Sequence, residues 1–327
     1  VKAVVYHSNF PEKVALVTVD KPQPEINQCL VKIMATALNR RDQWIREGLY
    51  PGIKDDVVLG SDACGEVVEG PPKWLGKRVL INPNINWGTN PQVQSAKYSI
   101  LGMPVNGTFS EYLTIATDRL MEAPSHLSNQ EAAALPLGGL TAFRALFTKG
   151  EMSSGQKVLV TGVGGGVAQF ALQLAVAGEA LVYVTSSQDE KINKAIVAGA
   201  LGGFNYRSDH WTKEAQKVDG FDLVIDSAGG EEVNNYLKII KPGGKIVMYG
   251  STLGRTPKLD TARLFWSQVS LIGSTMGNDD EFKSMIDYVA RTGIRPTIDA
   301  VYPISEYLAA FNRFEAEDHY GKIVMTF

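Results

Sequence analysis

The sequence predicts an α/β protein in two parts, a β-rich barrel-like part and a doubly wound, mostly parallel sheet. Three observations predict it. The first 120 or so residues are short β-branched runs cut by Pro, Gly and Asp punctuation such as DKPQPE and EGPPKW. From Lys157 onward, strand-like runs alternate with stretches of helical spacing. The length, 327 residues with 44% apolar, exceeds what one core fills.

The elements follow in order. Strands are expected at residues 1–6, 14–19, 30–37, 65–68 and 77–81, spaced as in a compact β barrel. Residues 82–108 form a long polar stretch of little periodicity, read as a functional excursion. Ser128 followed three residues later by Glu131 is a capping-box signal, and two helical segments divide around Pro136. The runs KVLVT, ALVYVTS, GGFNY, DLVIDSA, KIVMYG and SLIGS are six strands with helices such as VAQFALQLAVA and EEVNNYLKII between them. After Arg291 come a strand, an amphipathic helix and a closing strand, expected to rejoin the N-terminal part. The expected division is therefore 1–122 with 293–327 for the β-rich domain, and 123–292 for the doubly wound one.

Composition narrows the partners. Thirty-two basic residues against 35 acidic ones give a net charge of −3 with no basic block, which argues against nucleic acid and anionic membranes. No apolar run reaches the length of a membrane span. The start, VKAVVYHSNF, alternates like a strand rather than a signal peptide. Two cysteines, Cys29 and Cys64, support neither a disulfide framework nor a four-cysteine zinc lobe, and a reducing, cytoplasmic setting is expected.

The sharpest motif is VLVTGVGGGVAQFALQLA. An apolar strand runs into Gly162, Gly164, Gly165 and Gly166, then through Val167 into a helix whose Ala168 is small enough to pack on the strand. Side chains there would block the approach of a pyrophosphate, which the unpaired N–H groups and positive dipole of the helix start attract. A tight turn alone could use such glycines. Placed between strand and helix with five further β/α units behind it, the run reads as a dinucleotide site.

The next strand decides which dinucleotide. An NAD-type site places Asp or Glu at its end, about 20 residues on, for the ribose hydroxyls. Here Ser186 and Ser187 stand there, with Lys191 one helical turn beyond and Tyr206 on the adenine side. Serines accept a 2′-phosphate without repulsion, so NADPH is favoured over NADH. Lys191 taken alone reads as a solvated helix lysine, and Asp189 lies close by.

The chain as a whole resembles the medium-chain dehydrogenase/reductase superfamily. KAVVY, ATALNRRDQWIREGLYP, GSDACGEVVEG, LPLGGLTAFRAL, the glycine turn, DLVIDSAGG and KPGGKIVMYG stand in that family's order and spacing. The resemblance implies a GroES-like catalytic domain and a Rossmann cofactor domain with the active site at the cleft between them. The family's alcohol dehydrogenases hold a catalytic zinc by a cysteine, a histidine from a Gly-His-Glu turn and a later ligand. Here the cysteine position is Asn39 and the turn reads Gly60-Ser61-Asp62, while residues 82–108 carry none of the four structural cysteines. Cys64 reads as a small buried hydrophobe, and His7, His126, His210 and His319 fall at no ligand spacing. No zinc or other metal is expected.

That pattern resembles the quinone oxidoreductase (zeta-crystallin-like) branch, which implies NADPH-dependent reduction of a quinone or of an enone, an α,β-unsaturated carbonyl. Such acceptors already carry an electrophilic carbon and need no Lewis acid. The catalytic candidates are Asn39 as an amide donor or a turn-fixing residue, Asp42 as an orienting group or a helix cap, and Tyr50 as a phenolic donor. By the resemblance, Thr141, Gly250, Ser251 and Ser274 lie on the nicotinamide side, Thr141 having a helix-start cap as its other reading. Trp87 and Tyr98 either line the substrate mouth or anchor their loop. A homodimer through the SLIGST strand is likewise implied. The other readings are a zinc-free alcohol or aldehyde oxidoreductase and a non-catalytic NADPH-binding structural or regulatory protein.

Overall fold

The computed structural model describes residues 1–254 and 258–327. In chain order, its first elements are β1 (Lys2–Tyr6), β2 (Val14–Thr18), β3 (Gln28–Ala37), α1 (Arg40–Glu47), β4 (Val57–Val58), β5 (Asp62–Glu69), β6 (Arg78–Ile81), β7 (Asn84–Ile85), β8 (Ser99–Ile100), β9 (Tyr112–Ala116), β10 (Leu120–Glu122) and α2 (Asn129–Ala134). Then follow α3 (Pro136–Phe143), β11 (Lys157–Val160), α4 (Gly166–Ala177), β12 (Leu181–Ser186), α5 (Asp189–Val197), β13 (Gly202–Asn205), α6 (Trp211–Gln216), β14 (Phe221–Asp226), α7 (Glu232–Tyr236), β15 (Ile240–Met248), α8 (Thr261–Trp266) and β16 (Ser270–Gly273). The chain closes with α9 (Asp279–Thr292), β17 (Ile298–Pro303), α10 (Tyr307–Glu315) and β18 (Lys322–Thr326). It forms two compact units, residues 1–138 with 277–327 and residues 139–276.

The first unit is β-rich. A three-stranded sheet runs β2-β1-β4, and a seven-stranded sheet runs β10-β6-β5-β3-β18-β17 with β9 also paired to β3. Strand β3 gives Cys29, Val31 and Ile33 to one core with Ala63, Val67, Val79 and Ile81, while β18 gives Ile323 and Met325 to a second. Tyr6, Leu38, Ile45, Leu59, Phe109, Phe311, Ile323 and Met325 form that core, with Phe109 and Phe311 edge-on at 6.4 Å. The residues of α10 therefore bring the C-terminal segment home.

Two stretches on either side of the doubly wound part belong to this unit, which moves its limits from the expected 122 and 293 to 138 and 277. The Ser128–Glu131 capping box forms in both directions, at 2.7 and 3.1 Å, and Glu131 also pairs with Arg295 at 2.8 Å. Asp279, at the start of α9, takes both guanidinium nitrogens of Arg119 at 2.6 Å and the amides of Asn82 and Asn84. The Arg295 and Asp279 contacts join residues far apart in sequence, and strand or helix periodicity carries no trace of them. The excursion at 82–108 gains a two-stranded ribbon, β7 with β8. Trp87 is 4% exposed, donates to the Asn90 carbonyl at 3.0 Å and meets Tyr98 edge-on, so the pair anchors the loop.

The second unit is a parallel six-stranded sheet in the order β13-β12-β11-β14-β15-β16. Every neighbouring pair is parallel. Counted from its own first strand the order is 3-2-1-4-5-6, the doubly wound arrangement with its switch point beside β11. The six expected strands all form. The apolar runs VLV, LVIDS and IVM lie in the middle, covered on both faces, which is why they lack alternation.

Candidate active site

In the first unit, strand register assembles a buried polar corner. Strand β3 lies between β5 and β18, and Ala37 pairs with Asp62 on one side and Val324 on the other. Both pairings are antiparallel, so Asn39, two residues past Ala37, comes opposite Lys322, two residues before Val324. The Lys322 ammonium donates to Asn39 Oδ1 at 2.7 Å and to Asp62 Oδ2 at 3.0 Å. Asn39 Nδ2 donates to the same carboxylate oxygen at 2.9 Å, and the Leu137 N–H donates to Asp62 Oδ1 at 2.7 Å. Asp62 is fully buried, Lys322 is 4% exposed and Asn39 is 7% exposed.

Asn39 also starts α1. Its N–H donates to Asp42 Oδ2 at 2.8 Å, so Asp42 caps the helix that the sequence placed there. The other Asp42 oxygen is buried without a partner. Burial, only partly offset by Arg41 and the Asn39 N–H, pushes the Asp42 carboxyl up to about 6.

Arg41 is the residue that sequence reasoning passed over on this helix. It is 6% exposed and donates to Ser61 Oγ and the Leu101 carbonyl, each at 2.7 Å, and to the Met103 carbonyl at 3.1 Å. Its Nε donates to the Tyr50 hydroxyl at 3.3 Å, and its guanidinium stands 4.8 Å over the Tyr50 ring. Arg41 thus links Tyr50 to Ser61, while Asp42 meets Asn39 directly. Lys322, the other residue missed, reads as an ordinary strand-end lysine; its partners lie 260 and 283 residues away.

These donors do not fit a tetrahedral zinc centre. Asn39 Oδ1 and both Asp62 oxygens are taken up by N–H donors, and Ser61 Oγ lies between Arg41 and the Leu101 carbonyl. Among the described residues no three His, Cys, Asp or Glu side chains converge. Cys64 is fully buried, which pushes its thiol up to about 11.

The second unit presents the glycine turn. Gly162, just past β11, has φ +61, and its N–H donates to Thr185 Oγ1 at 3.2 Å. Gly165 caps α4, which starts at Gly166 and Val167, and its N–H closes the turn on the Gly162 carbonyl at 3.0 Å. Gly164, Gly165, Gly166 and Val167 are half-buried. A Cβ at Gly165 would meet only the Gly162 carbonyl, at 3.6 Å, whereas one at Gly250 would strike the Ser227 carbonyl at 2.7 Å. Protein packing therefore explains the glycine at 250 and leaves room in front of 165, beside unpaired helix-start N–H groups, as a bound pyrophosphate needs.

Ser186 ends β12 and accepts the Gln188 N–H at 3.2 Å; Ser187 follows it half-buried. Tyr206, 41% exposed, follows β13 and donates its N–H to the Ser186 carbonyl at 3.1 Å, so the strand pairing brings it to the two serines. Lys191 lies on the inner face of α5 with Ile192 and Ala195 and is only 6% exposed. Arg207, exposed beside Tyr206, was not singled out in the sequence. Thr141 is buried inside α3 rather than at a helix start. Gly250 and Ser251 follow β15, and Ser274 follows β16 with its hydroxyl buried and unpartnered.

Comparison with known proteins decides the family. Residues 25–125 match the family described as alcohol dehydrogenase GroES-like domain, and residues 166–291 match zinc-binding dehydrogenase. A relative from Leptosphaeria maculans, the zinc-type alcohol dehydrogenase-like protein YogA, is 38% identical over 86% of this chain and 84% of its own. The chain belongs to the medium-chain dehydrogenase/reductase superfamily. Within that oxidoreductase superfamily, an acryloyl-coenzyme A reductase from Metallosphaera sedula is 27% identical over 94% of this chain and 95% of its own. A solved structure of an NAD-dependent alcohol dehydrogenase superposes with a TM-score of 0.94 at 30% identity, covering all of both chains. The β-rich unit is thus the GroES-like domain and the parallel sheet the Rossmann-like one.

Proposed function

We propose that this protein is a zinc-independent, NADPH-dependent reductase of quinones or α,β-unsaturated carbonyl compounds. The observation that carries the reading is the polar corner at Asn39, Asp62 and Lys322. It offers an oriented amide N–H and committed oxygens where a metal would need free lone pairs. Without a Lewis acid an alcohol is hard to deprotonate, whereas a quinone or enone needs only orientation and a donor near the oxygen that gains charge. Asn39 is that donor in this reading. Asp42 holds the start of α1, and Tyr50 is a second donor, a hydroxyl fixed by Arg41.

NADPH supplies the hydride when bound. Gly162, Gly164, Gly165, Gly166 and Val167 would take its phosphates, and Ser186, Ser187 and Tyr206 its 2′-phosphate side. Thr141, Gly250, Ser251 and Ser274 would take the nicotinamide side, with the orphaned Ser274 hydroxyl as a waiting donor. Lys191 contributes charge from within α5. The name of the Metallosphaera relative, a reductase of an α,β-unsaturated thioester, supports the acceptor class. The unpaired edge at β16, with Phe265 and Trp266 at 69% and 83% exposure on the preceding helix, supports a homodimer.

A second reading, an alcohol dehydrogenase using NAD, draws on the names of the Leptosphaeria relative and of the 30%-identical structure. An assay of NADPH oxidation with 9,10-phenanthrenequinone and a short alkenal, run beside NAD-linked ethanol oxidation with and without added zinc, separates the two. Turnover of quinone or alkenal alone is expected. Zinc-stimulated alcohol oxidation overturns the proposal, and tight NADPH binding with no turnover marks a non-catalytic protein. Ser187→Asp, which places a carboxylate at the 2′-phosphate, is expected to raise KM for NADPH and improve use of NADH; an unchanged preference would place phosphate recognition elsewhere.

A further inference from the structure

We infer that Lys322 is the site's built-in cation: its ammonium stands among Asn39 and Asp62 in place of a metal and sets which end of the Asn39 amide is offered to a ligand. The inference deepens the zinc-independent reading and rests on it.

An asparagine amide has two faces of similar shape, and its neighbours decide which atom points where. Lys322 can only donate, so it takes Asn39 Oδ1, at 2.7 Å. The Asp62 carboxylate accepts from the Lys322 ammonium and the Leu137 N–H, and its Oδ2 likewise accepts from Asn39 Nδ2, at 2.9 Å. The two contacts agree and lock the amide one way round. Asn39 then spends one of its two amide hydrogens on Asp62; the other has no protein acceptor among the described contacts, and the residue keeps 7% exposure. A fixed donor is presented, and the carbonyl end of the amide is turned inward.

The ammonium also pairs with Asp62; the corner's other carboxylate is Asp42, on the Asn39 N–H. With Lys322 at 3.0 Å from Asp62 and Arg41 bonded to the adjacent Ser61, the two cations already compensate the corner's carboxylates, so a divalent cation would find no unmatched negative charge. Lys322 is a positioning residue in this scheme. It acts through Asn39 and does not itself meet the substrate.

The variants Lys322→Met and Lys322→Met/Asp62→Asn test it. Lys322→Met leaves Asp62 buried without a counter-ion, so it is expected to lose thermal stability and to lower kcat about ten- to a hundredfold, with KM and Kd for NADPH within about twofold. The double variant removes both charges and is expected to regain most of the stability while kcat stays low, because nothing then orients the amide. Recovery of kcat together with stability would reduce Lys322 to a structural ion pair and overturn the inference. Calorimetric titration with zinc alone adds a readout that needs no turnover. Wild-type protein is expected to take up no zinc at this site; stoichiometric zinc binding abolished by Asp62→Asn overturns the inference even if the acceptor class proposed above proves right. Should no quinone or enone be turned over, the titration still reports on Lys322 by itself.

Discussion

Asp42 holds a carboxyl group inside the GroES-like core with one oxygen on the Asn39 N–H and the other on nothing. Its raised pKa, about 6 against the usual 3.8, means that the folded state prefers the protonated form. Stability from this group is complete below the unfolded pKa and declines as pH rises through about 6. At neutral pH the charged carboxylate costs about 2–3 kcal/mol at most. Urea unfolding of Asp42→Asn across pH 4 to 7 is expected to lack that decline; a parallel pH dependence in variant and wild type would show that Asp42 ionises freely in the fold. The residue is legible in the sequence as a cap three positions into α1. Its missing second partner is not, because burial of that oxygen is set by tertiary packing rather than by any local pattern.

At the scale of elements, the turn between β11 and α4 separates two uses of glycine. Gly162 is needed by its own backbone, at φ +61, and replacing it with alanine is expected to cost about 1 kcal/mol of stability. Gly165 has φ −73 and open space before it, so Gly165→Ala is expected to change stability by under about 1 kcal/mol. Its Kd for NADPH, read by fluorescence titration, should rise at least about tenfold, a loss of about 1.4 kcal/mol. Unchanged affinity would remove the phosphates from this turn. Both glycines were readable from the strand-turn-helix pattern, as were all six strands of the parallel sheet, since each signal is local. Lys191 shows where locality fails. Its spacing from Ser187 is right, but the face of α5 it occupies is set by packing of Ile192 and Ala195 on the sheet. Lys322 is the stronger case, since its meaning lies in a strand register that joins residues 283 apart.

For the whole molecule, the sheet order leaves β16 with one neighbour among the described residues, and Leu253, Phe265 and Trp266 stand 63%, 69% and 83% exposed in the same unit. Trp266→Glu is expected to convert the proposed dimer to a monomer in sedimentation velocity, leaving the fold intact because the side chain packs against so little. A wild-type monomer at micromolar concentration would remove the dimer from the proposal. The fold class was open to reading from the sequence because it follows from alternation along the chain. The limits of the units were not, because contacts such as those of Arg119, Asn82 and Asn84 with Asp279 of α9 are long-range.

The closing of β18 against β3 also orders events in time. All strands of the Rossmann-like unit lie between residues 157 and 273, so that sheet is complete on a growing chain before β18 has been made. The Asn39 corner must wait, because its cation lies 283 residues further along the chain. A nascent chain therefore holds a finished Rossmann-like sheet and a buried-to-be aspartate with no counter-ion until it has grown past Lys322. Loss of β18 alone would leave a chain that folds in its Rossmann-like unit and is blank at the Asn39 corner.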